Sequence, residues 1–222
     1  MTAPARPITL IHTVTTLLPM FEHLLRDRLP GWVPSNIVDE SLLRGTIARG
    51  ELTPATMRRC LTQIWQAIDS GAEAVVVTCS SLGPAVEAAR PFCPVPLFRI
   101  DEGMAITAVA TGRRIGVLAT LATTLAPTTS LIHSAALRSG ATDRQVTARL
   151  ADGAFQRLQA GDAAGHDASV AAALQALAPD CDVIVLAQAS MARAAAAAGD
   201  LGRPVLTSPE LGISYIADRL SA

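Results

Sequence analysis

The sequence predicts an α/β protein built on parallel sheets, and three observations support that prediction. Half of the 222 residues are hydrophobic, which is ample for a sizeable core. Short runs rich in β-branched residues alternate along the chain with longer runs rich in alanine and leucine. Most of the short runs are continuously apolar, as expected of strands that helices cover on both faces. Strands and helices that alternate in this way are typical of a parallel sheet.

The short apolar runs and the gaps between them predict the individual elements. Seven strands are predicted, over residues 8–14, 35–38, 74–78, 96–100, 114–119, 183–187 and 204–206. Helices are predicted over residues 57–70, 101–112, 146–159, 169–178 and 211–220, with a polar break at 161–167. Gly71 follows the first of these helices as a C-terminal cap, and Asp101 begins the second as an N-cap. Asp39, directly after the second strand, is also predicted to be an N-cap.

A weak internal repeat links the two halves of the chain. Residues 75–81 and 185–191 each form a predicted strand, a turn and the start of a helix, 110 residues apart. In this register Cys79 corresponds to Ala189, and Ser80 to Ser190. The repeat suggests two related lobes with a cleft between them, because parallel sheets bind ligands beyond the carboxyl ends of their strands. A closed (β/α)8 barrel is the alternative, since an eighth strand can be drawn near residues 135–141.

Composition and charge exclude several classes of partner. The formal net charge is -1, from 18 basic and 19 acidic residues, and aromatic residues make up 3% of the chain. With no basic block, we expect no nucleic-acid partner. No uninterrupted apolar run reaches the roughly 18 residues of a membrane span, so no membrane partner is expected. The four cysteines show neither CxxC nor Cys/His metal spacing, which favours free thiols in a cytoplasmic protein that holds no metal.

Cys79 is the sharpest candidate for chemistry, because it leaves a valine-rich strand and enters a helix. Free backbone N–H groups and the positive end of the helix dipole are expected to stabilise a thiolate there. Such a thiolate acts as a general base, a general acid or a nucleophile. The alternative is that Cys79 is simply a small buried hydrophobe. We expect only structural roles for the other three cysteines, Cys60, Cys93 and Cys181.

Hydroxyl and amide side chains follow the other predicted strands and are candidates for holding a polar ligand. They are suited to bind a carboxylate, although each also suits helix capping or turn formation. The predicted substrate-binding residues are His12, Thr13, Ser80, Ser81, Thr120, Thr123, Gln188, Ala189 and Ser190.

Several ordered motifs resemble the aspartate/glutamate/hydantoin racemase superfamily. The main ones are Thr78-Cys79-Ser80-Ser81, Leu118-Ala119-Thr120-Leu121-Ala122-Thr123 and Leu186-Ala187-Gln188-Ala189-Ser190-Met191. The resemblance implies two flavodoxin-like lobes with parallel sheets, related by pseudo-two-fold symmetry with a cleft between them. It places the first lobe at residues 1–101 and 207–222 and the second at 102–206. It also implies a cofactor-independent enzyme that forms a homodimer or a larger homo-oligomer.

Members of that superfamily usually place one cysteine on each side of the substrate's α-carbon. Cys79 matches the first family cysteine, and Ala189 stands at the position assigned to the second. Because a methyl group carries no proton, little racemisation of free aspartate or glutamate is expected, unless His12 serves as a second base.

The resemblance therefore implies an Asp/Glu racemase-like isomerase acting on a small carboxylate or amino acid, with Cys79 as acid/base or nucleophile. Two alternatives stay open. One is a single-cysteine decarboxylase or lyase on the same fold, and the other is a non-catalytic protein that binds a small carboxylate.

Overall fold

Two open parallel sheets of four strands each are present in the computed structural model, which describes residues 6–221. The first sheet has the order β2-β1-β3-β4, with strands β1 (Arg6–His12), β2 (Trp32–Val38), β3 (Ala74–Val77) and β4 (Leu97–Arg99). The second has the order β6-β5-β7-β8, with strands β5 (Arg114–Ala119), β6 (Gln145–Leu150), β7 (Val183–Leu186) and β8 (Val205–Thr207). The matching strand orders confirm the predicted α/β class with two flavodoxin-like lobes. The closed barrel is excluded.

Helices connect the strands throughout the described residues. They are α1 (Leu18–Arg28), α2 (Glu40–Arg49), α3 (Pro54–Asp69), α4 (Gly83–Ala89), α5 (Glu102–Thr111), α6 (Ala122–Arg138), α7 (Ala154–Gln159), α8 (Ala163–Leu177), α9 (Ala192–Ala197) and α10 (Ser208–Ser221). Short 3-10 turns precede three of them, Thr15–Leu17 before α1, Ser80–Leu82 before α4 and Ala189–Met191 before α9. None of the helices within residues 6–221 is long and apolar enough to cross a membrane.

The described chain divides into a first unit, residues 6–100 and 212–221, and a second unit, residues 101–211. β8 pairs with β7 and so extends the sheet of the second unit. Each unit has apolar residues on both faces of its sheet, because successive strand residues point to opposite faces. In the first unit, Ile8 and Leu10 pack with Phe21 on one face, while Val75 and Val77 pack with Ile64 on the other.

Residues 146–159 are the clearest difference between prediction and structure. They were expected to form one helix, but the segment begins as strand β6 and becomes helical only from Ala154. β6 pairs with β5 alone and is largely exposed, so its side chains lack the continuous apolar pattern of the inner strands. Gly153, in the left-handed region at φ 75°, separates the strand from the helix.

Helix α10 passes from the second unit into the first at Gly212. A Cβ built on Gly212 would lie 2.0 Å from the carbonyl oxygen of Ile100, so only glycine permits this approach. Beyond it, Ile213 and Ile216 are buried in the apolar core of the first unit.

The predicted caps have mixed outcomes. Asp39 caps α2 by accepting a hydrogen bond from the backbone of Ser41 at 3.0 Å. Asp101 occupies the N-cap position of α5, but its side chain makes no capping hydrogen bond.

Candidate active site

Cys79 lies two residues beyond the end of β3 and directly before the turn Ser80–Leu82, as the sequence predicted. The residue as a whole is partly buried, whereas Ser80 and Ser81 are buried. Cys79 is held in this position by β3, an inner strand between β1 and β4. The hydrogen bonding between β3 and β1 extends to Thr78, whose N–H donates to the carbonyl of Ile11 at 3.0 Å. The thiol therefore stands at the carboxyl edge of the first sheet, where parallel sheets bind ligands.

Burial raises the pKa of the Cys79 thiol above its usual value, and hydrogen bonding opposes this rise. The opposing donors are the Thr13 hydroxyl, the backbone N–H groups of Ser81 and Leu82, and the Ser81 hydroxyl. The sequence predicted a stabilised thiolate, but the net direction is the reverse because desolvation is the largest effect. The resting group is therefore a thiol, surrounded by donors that stabilise the thiolate when it forms.

His12 is fully buried and is held by groups of the first unit. Its Nε2 lies 3.0 Å from Oδ1 of Asn36, whose amide donates to Glu22 at 2.9 Å. Its Nδ1 lies 2.9 Å from the hydroxyl of Thr78, the residue before Cys79. Burial lowers the pKa of His12, while the Asn36 bond and the Glu22 charge raise it. Both ring nitrogens therefore have described partners within the protein, and His12 belongs to the same unit as Cys79.

In the second unit, Thr120 and Gln188 are joined at the corresponding edge. The Gln188 Oε1 accepts hydrogen bonds from the Thr120 backbone N–H at 2.6 Å and from its hydroxyl at 3.0 Å. Both donors are fixed, because Thr120 directly follows β5 and is only 5% exposed. These two hydrogen bonds fix the orientation of the Gln188 amide, whose oxygen faces Thr120 and whose NH2 group faces away from it.

Equivalent positions of the two strand–turn–helix segments are 109 residues apart in the sequence, whereas the predicted separation is 110. Thr78 donates its backbone N–H to β1, and Ala187 donates in the same way to β5. One residue later, Cys79 and Gln188 are the N-caps of equivalent 3-10 turns. Gln188 is therefore the counterpart of Cys79, and Ala189 is the counterpart of Ser80. Residue types alone favour the 110-residue register, because they pair Ser80 with Ser190.

The remaining predicted site residues lie at the same two edges. Ala189 and Ser190 are partly exposed in the turn after β7. Thr123 is in the first turn of α6, and its hydroxyl is buried with no hydrogen-bond partner among the described groups. Thr13 is buried directly after β1. Each unit thus presents hydroxyl, amide or thiol groups at the carboxyl edge of its own sheet.

The other cysteines lie away from these edges or inside the apolar core. Burial raises the pKa of Cys60 to about 12 and also raises that of Cys181. Cys93 is partly exposed after α4, in the loop predicted from its flanking prolines. All four cysteines are free thiols. Across residues 6–221, no group of three or more His, Cys, Asp or Glu side chains is arranged to hold a metal ion.

One polar cluster of the second unit is not predicted by the sequence pattern. His166 is buried and bonds Asp167, which in turn accepts two hydrogen bonds from Arg193. Residues 161–167 were interpreted as a polar break, so His166 was not assigned to a helix. The available signal was its spacing of four from Val170 and eight from Leu174, which puts all three on one helix face.

Comparison with known proteins gives a consistent family and fold. The family described as Asp/Glu/Hydantoin racemase matches residues 10–216. Glutamate racemase from Francisella tularensis has a TM-score of 0.74 and 17% identity, covering 97% of this chain and 80% of that one. Allantoin racemase from Klebsiella pneumoniae has 0.69 and 19%, covering 97% and 87%. Unliganded arylmalonate decarboxylase has 0.56 and 16%, covering 98% and 93%. At these identities the likeness is one of fold. No match is found among curated proteins.

Proposed function

The chain belongs to the Asp/Glu/hydantoin racemase family, and from this premise we propose that it is a cofactor-independent isomerase of a small carboxylate or amino acid. Cys79 is the acid/base in this proposal. The observation that carries it is the position of the thiol, which belongs to a partly buried residue at the carboxyl end of an inner strand and has hydrogen-bond donors around its sulfur. Such a group can exchange a proton with the α-carbon of a bound carboxylate.

The resting protonation state defines the first step available to Cys79. The thiol first loses its proton to solvent, and the thiolate that forms is stabilised by Thr13, Ser81 and Leu82. The thiolate then removes the α-proton of the bound substrate, and the thiol so formed can return a proton to the enolate carbon. The same donors that oppose the rise in pKa therefore serve the reaction in both directions.

The carboxyl edge of the second unit carries neutral donors that are suited to a carboxylate oxygen. Because the Gln188 oxygen already accepts hydrogen bonds from Thr120, the amide NH2 group of Gln188 is the part that can donate to a ligand. The Thr123 hydroxyl, buried and without a described partner, is a further donor. Ser190 and the backbone of Ala189 complete the proposed carboxylate-binding set. His12 supports the first unit through Thr78 in this proposal, since its ring nitrogens already have partners.

A decarboxylase or lyase with a single thiol is the second candidate. The observation that favours it is Gln188, because an amide at the counterpart of Cys79 cannot carry a proton near neutral pH. The fold likeness to arylmalonate decarboxylase is consistent with this chemistry. In that reaction, loss of carbon dioxide leaves an enolate, and the Cys79 thiol protonates its α-carbon. A protein that only binds a small carboxylate is the non-enzymatic alternative.

A solvent-exchange screen in deuterium oxide distinguishes these functions. The panel contains both enantiomers of aspartate and glutamate, 5-substituted hydantoins and substituted malonates, followed by proton NMR and chiral chromatography. We expect deuterium at the α-carbon together with inversion for at least one compound. Carbon dioxide release with deuterium incorporation identifies the decarboxylase instead. Saturable binding of a panel compound without exchange, inversion or carbon dioxide release would contradict the enzymatic proposal.

A further inference from the structure

A chain of hydrogen bonds joins helix α1 to the strand end that carries Cys79. Glu22 of α1 accepts from the Asn36 amide at 2.9 Å, and the Asn36 oxygen lies 3.0 Å from Nε2 of His12. On the other side of the ring, Nδ1 lies 2.9 Å from the hydroxyl of Thr78, the residue before Cys79. All of these groups belong to the first unit, so the chain crosses from α1 over β2 and β1 to β3 within one sheet.

The direction of these bonds fixes which nitrogen of His12 carries the proton. Asn36 donates its NH2 group to Glu22, which turns the amide oxygen towards the ring. An amide oxygen only accepts, so Nε2 donates to it, and in the neutral ring Nδ1 is left to accept from the Thr78 hydroxyl. Burial is the largest effect on the pKa of His12 and lowers it, which favours the neutral ring, while the Asn36 bond and the Glu22 charge act in the opposite direction.

His12 and Cys79 lie on opposite faces of the first sheet, because successive residues at a strand end point to opposite sides. The His12 ring packs against Phe21 of α1, with the ring centroids 5.6 Å apart. Cys79 instead packs in the cluster that contains Ile11, Val77 and the buried residues of α3. His12 can therefore act on the thiol only through the ends of β1 and β3.

Two neighbouring pairs of residues join those strand ends. The parallel pairing of β1 and β3 ends one residue before His12 and Thr78, whose side chains bond each other. The next pair along the two chains is Thr13 and Cys79, and the Thr13 hydroxyl donates to the sulfur. The bond between His12 and Thr78 is therefore directly beside the bond that stabilises the thiolate.

We propose that Glu22 and Asn36 are positioning residues for Cys79, acting through the ring of His12 and the end of β3. This inference rests on the acid/base role of Cys79 proposed above. The two residues hold the ring with its proton on Nε2, so that Nδ1 keeps the Thr78 hydroxyl and the strand end keeps the thiol against its donors. His12 in this role exchanges no proton with the substrate and is not the second base.

The test compares Asn36→Leu with Ser35→Ala, a control that breaks a different side-chain bond between β1 and β2, from Ser35 to Thr9 at 2.8 Å. Leucine is close to asparagine in shape and leaves His12 Nε2 without its acceptor. Alkylation of Cys79 by iodoacetamide is followed against pH, and urea unfolding checks that each variant is folded. The pH midpoint of alkylation should rise by about 0.4 to 1 pH unit in Asn36→Leu, the effect of one neutral hydrogen bond on the thiolate. Ser35→Ala should keep the native midpoint.

The paired variant Glu22→Gln with Asn36→Asp provides the rescue, because it exchanges the carboxylate and the amide. The amide introduced at position 22 donates to the carboxylate introduced at position 36, which accepts from Nε2 as the native amide oxygen does. This variant should keep the native pH midpoint of Cys79 alkylation. A midpoint as high as that of Asn36→Leu would contradict the proposal.

Nitrogen NMR of histidine-labelled native protein reads the His12 tautomer directly and does not depend on how any variant folds. The proton should be on Nε2. In Glu22→Gln alone it should be divided between the two nitrogens, because Asn36 is then free to turn its NH2 group to the ring. A native proton on Nδ1 overturns the proposal, and so does a native midpoint in folded Asn36→Leu. Neither measurement needs a substrate, so failure here is distinct from failure of the isomerase, which the exchange screen tests.

Discussion

Replacing Thr13 by valine tests how the first unit controls its thiol. The Thr13 hydroxyl donates to the Cys79 sulfur and lowers the pKa of the thiol against the effect of burial. A hydrogen bond to a charged group contributes about 1.5–3 kcal/mol, so its loss reduces the thiolate fraction about 10- to 100-fold. A more basic thiolate attacks faster, which offsets part of that loss and leaves a net slowing of about 3- to 20-fold. Valine matches threonine in shape, so the packing around Cys79 should be preserved.

The assay is alkylation of Cys79 by iodoacetamide at neutral pH, mapped by mass spectrometry. Thr9→Val is the matched control, because Thr9 lies on β1, the strand that Thr13 directly follows, is similarly buried and bonds Ser35 at 2.8 Å rather than Cys79. Labelling should be slower in Thr13→Val and unchanged in Thr9→Val. At a pH high enough to ionise Cys79 fully in both variants, the order should reverse, because the more basic thiolate of Thr13→Val attacks faster. Equal labelling of the two variants at neutral pH would refute the reasoning.

Three further predictions concern stability and are read from urea unfolding. Gln188→Leu should lower the free energy of unfolding by about 1–3 kcal/mol, because the buried Thr120 N–H loses its acceptor. Cys60 should destabilise the protein only at alkaline pH, because folding raises the pKa of its thiol from 9.0 to about 12. Below pH 9 the thiol is protonated in both states and the free energy of unfolding is unaffected. Above pH 9 only the unfolded state loses the proton, so the free energy of unfolding falls by about 1.4 kcal/mol per pH unit. Cys60→Ala should reduce that slope. Gly212→Ala should cost about 1–3 kcal/mol or more from overpacking, whereas Gly31→Ala, which meets nothing within 4 Å, should be tolerated.

The fold was largely predictable from the sequence because its inner strands are buried on both faces. Runs such as residues 74–77 and 183–186 are continuously apolar, and each is an inner strand. Strand β6 was not predictable in the same way, because it is an edge strand with exposed arginine and glutamine side chains. Those residue types also favour helices, so the segment was assigned to the helix that begins a few residues later.

The candidate site was predictable only where the signal was local. Cys79 stands beside its own strand and turn, so its position followed from a few neighbouring residues. The direction of its pKa shift did not, because desolvation depends on packing that the sequence does not display. The link between Asp167 and Arg193 spans 26 residues, and no local pattern indicates it. The residue of the second unit that corresponds to Cys79 can be identified only from the strand hydrogen bonds, which indicate Gln188 and not Ala189.

The measurement that tests the central claim most directly is α-proton exchange by two cysteine variants. Cys79→Ala and Cys93→Ala remove the thiols of the two partly buried cysteines of the first unit, one at the carboxyl edge and one after α4. Each variant is assayed in deuterium oxide with a compound that the native protein turns over. Cys79→Ala should lose exchange by about 10²- to 10⁴-fold, while Cys93→Ala exchanges at the native rate. Exchange at the native rate by Cys79→Ala would contradict the assignment of Cys79 as the acid/base.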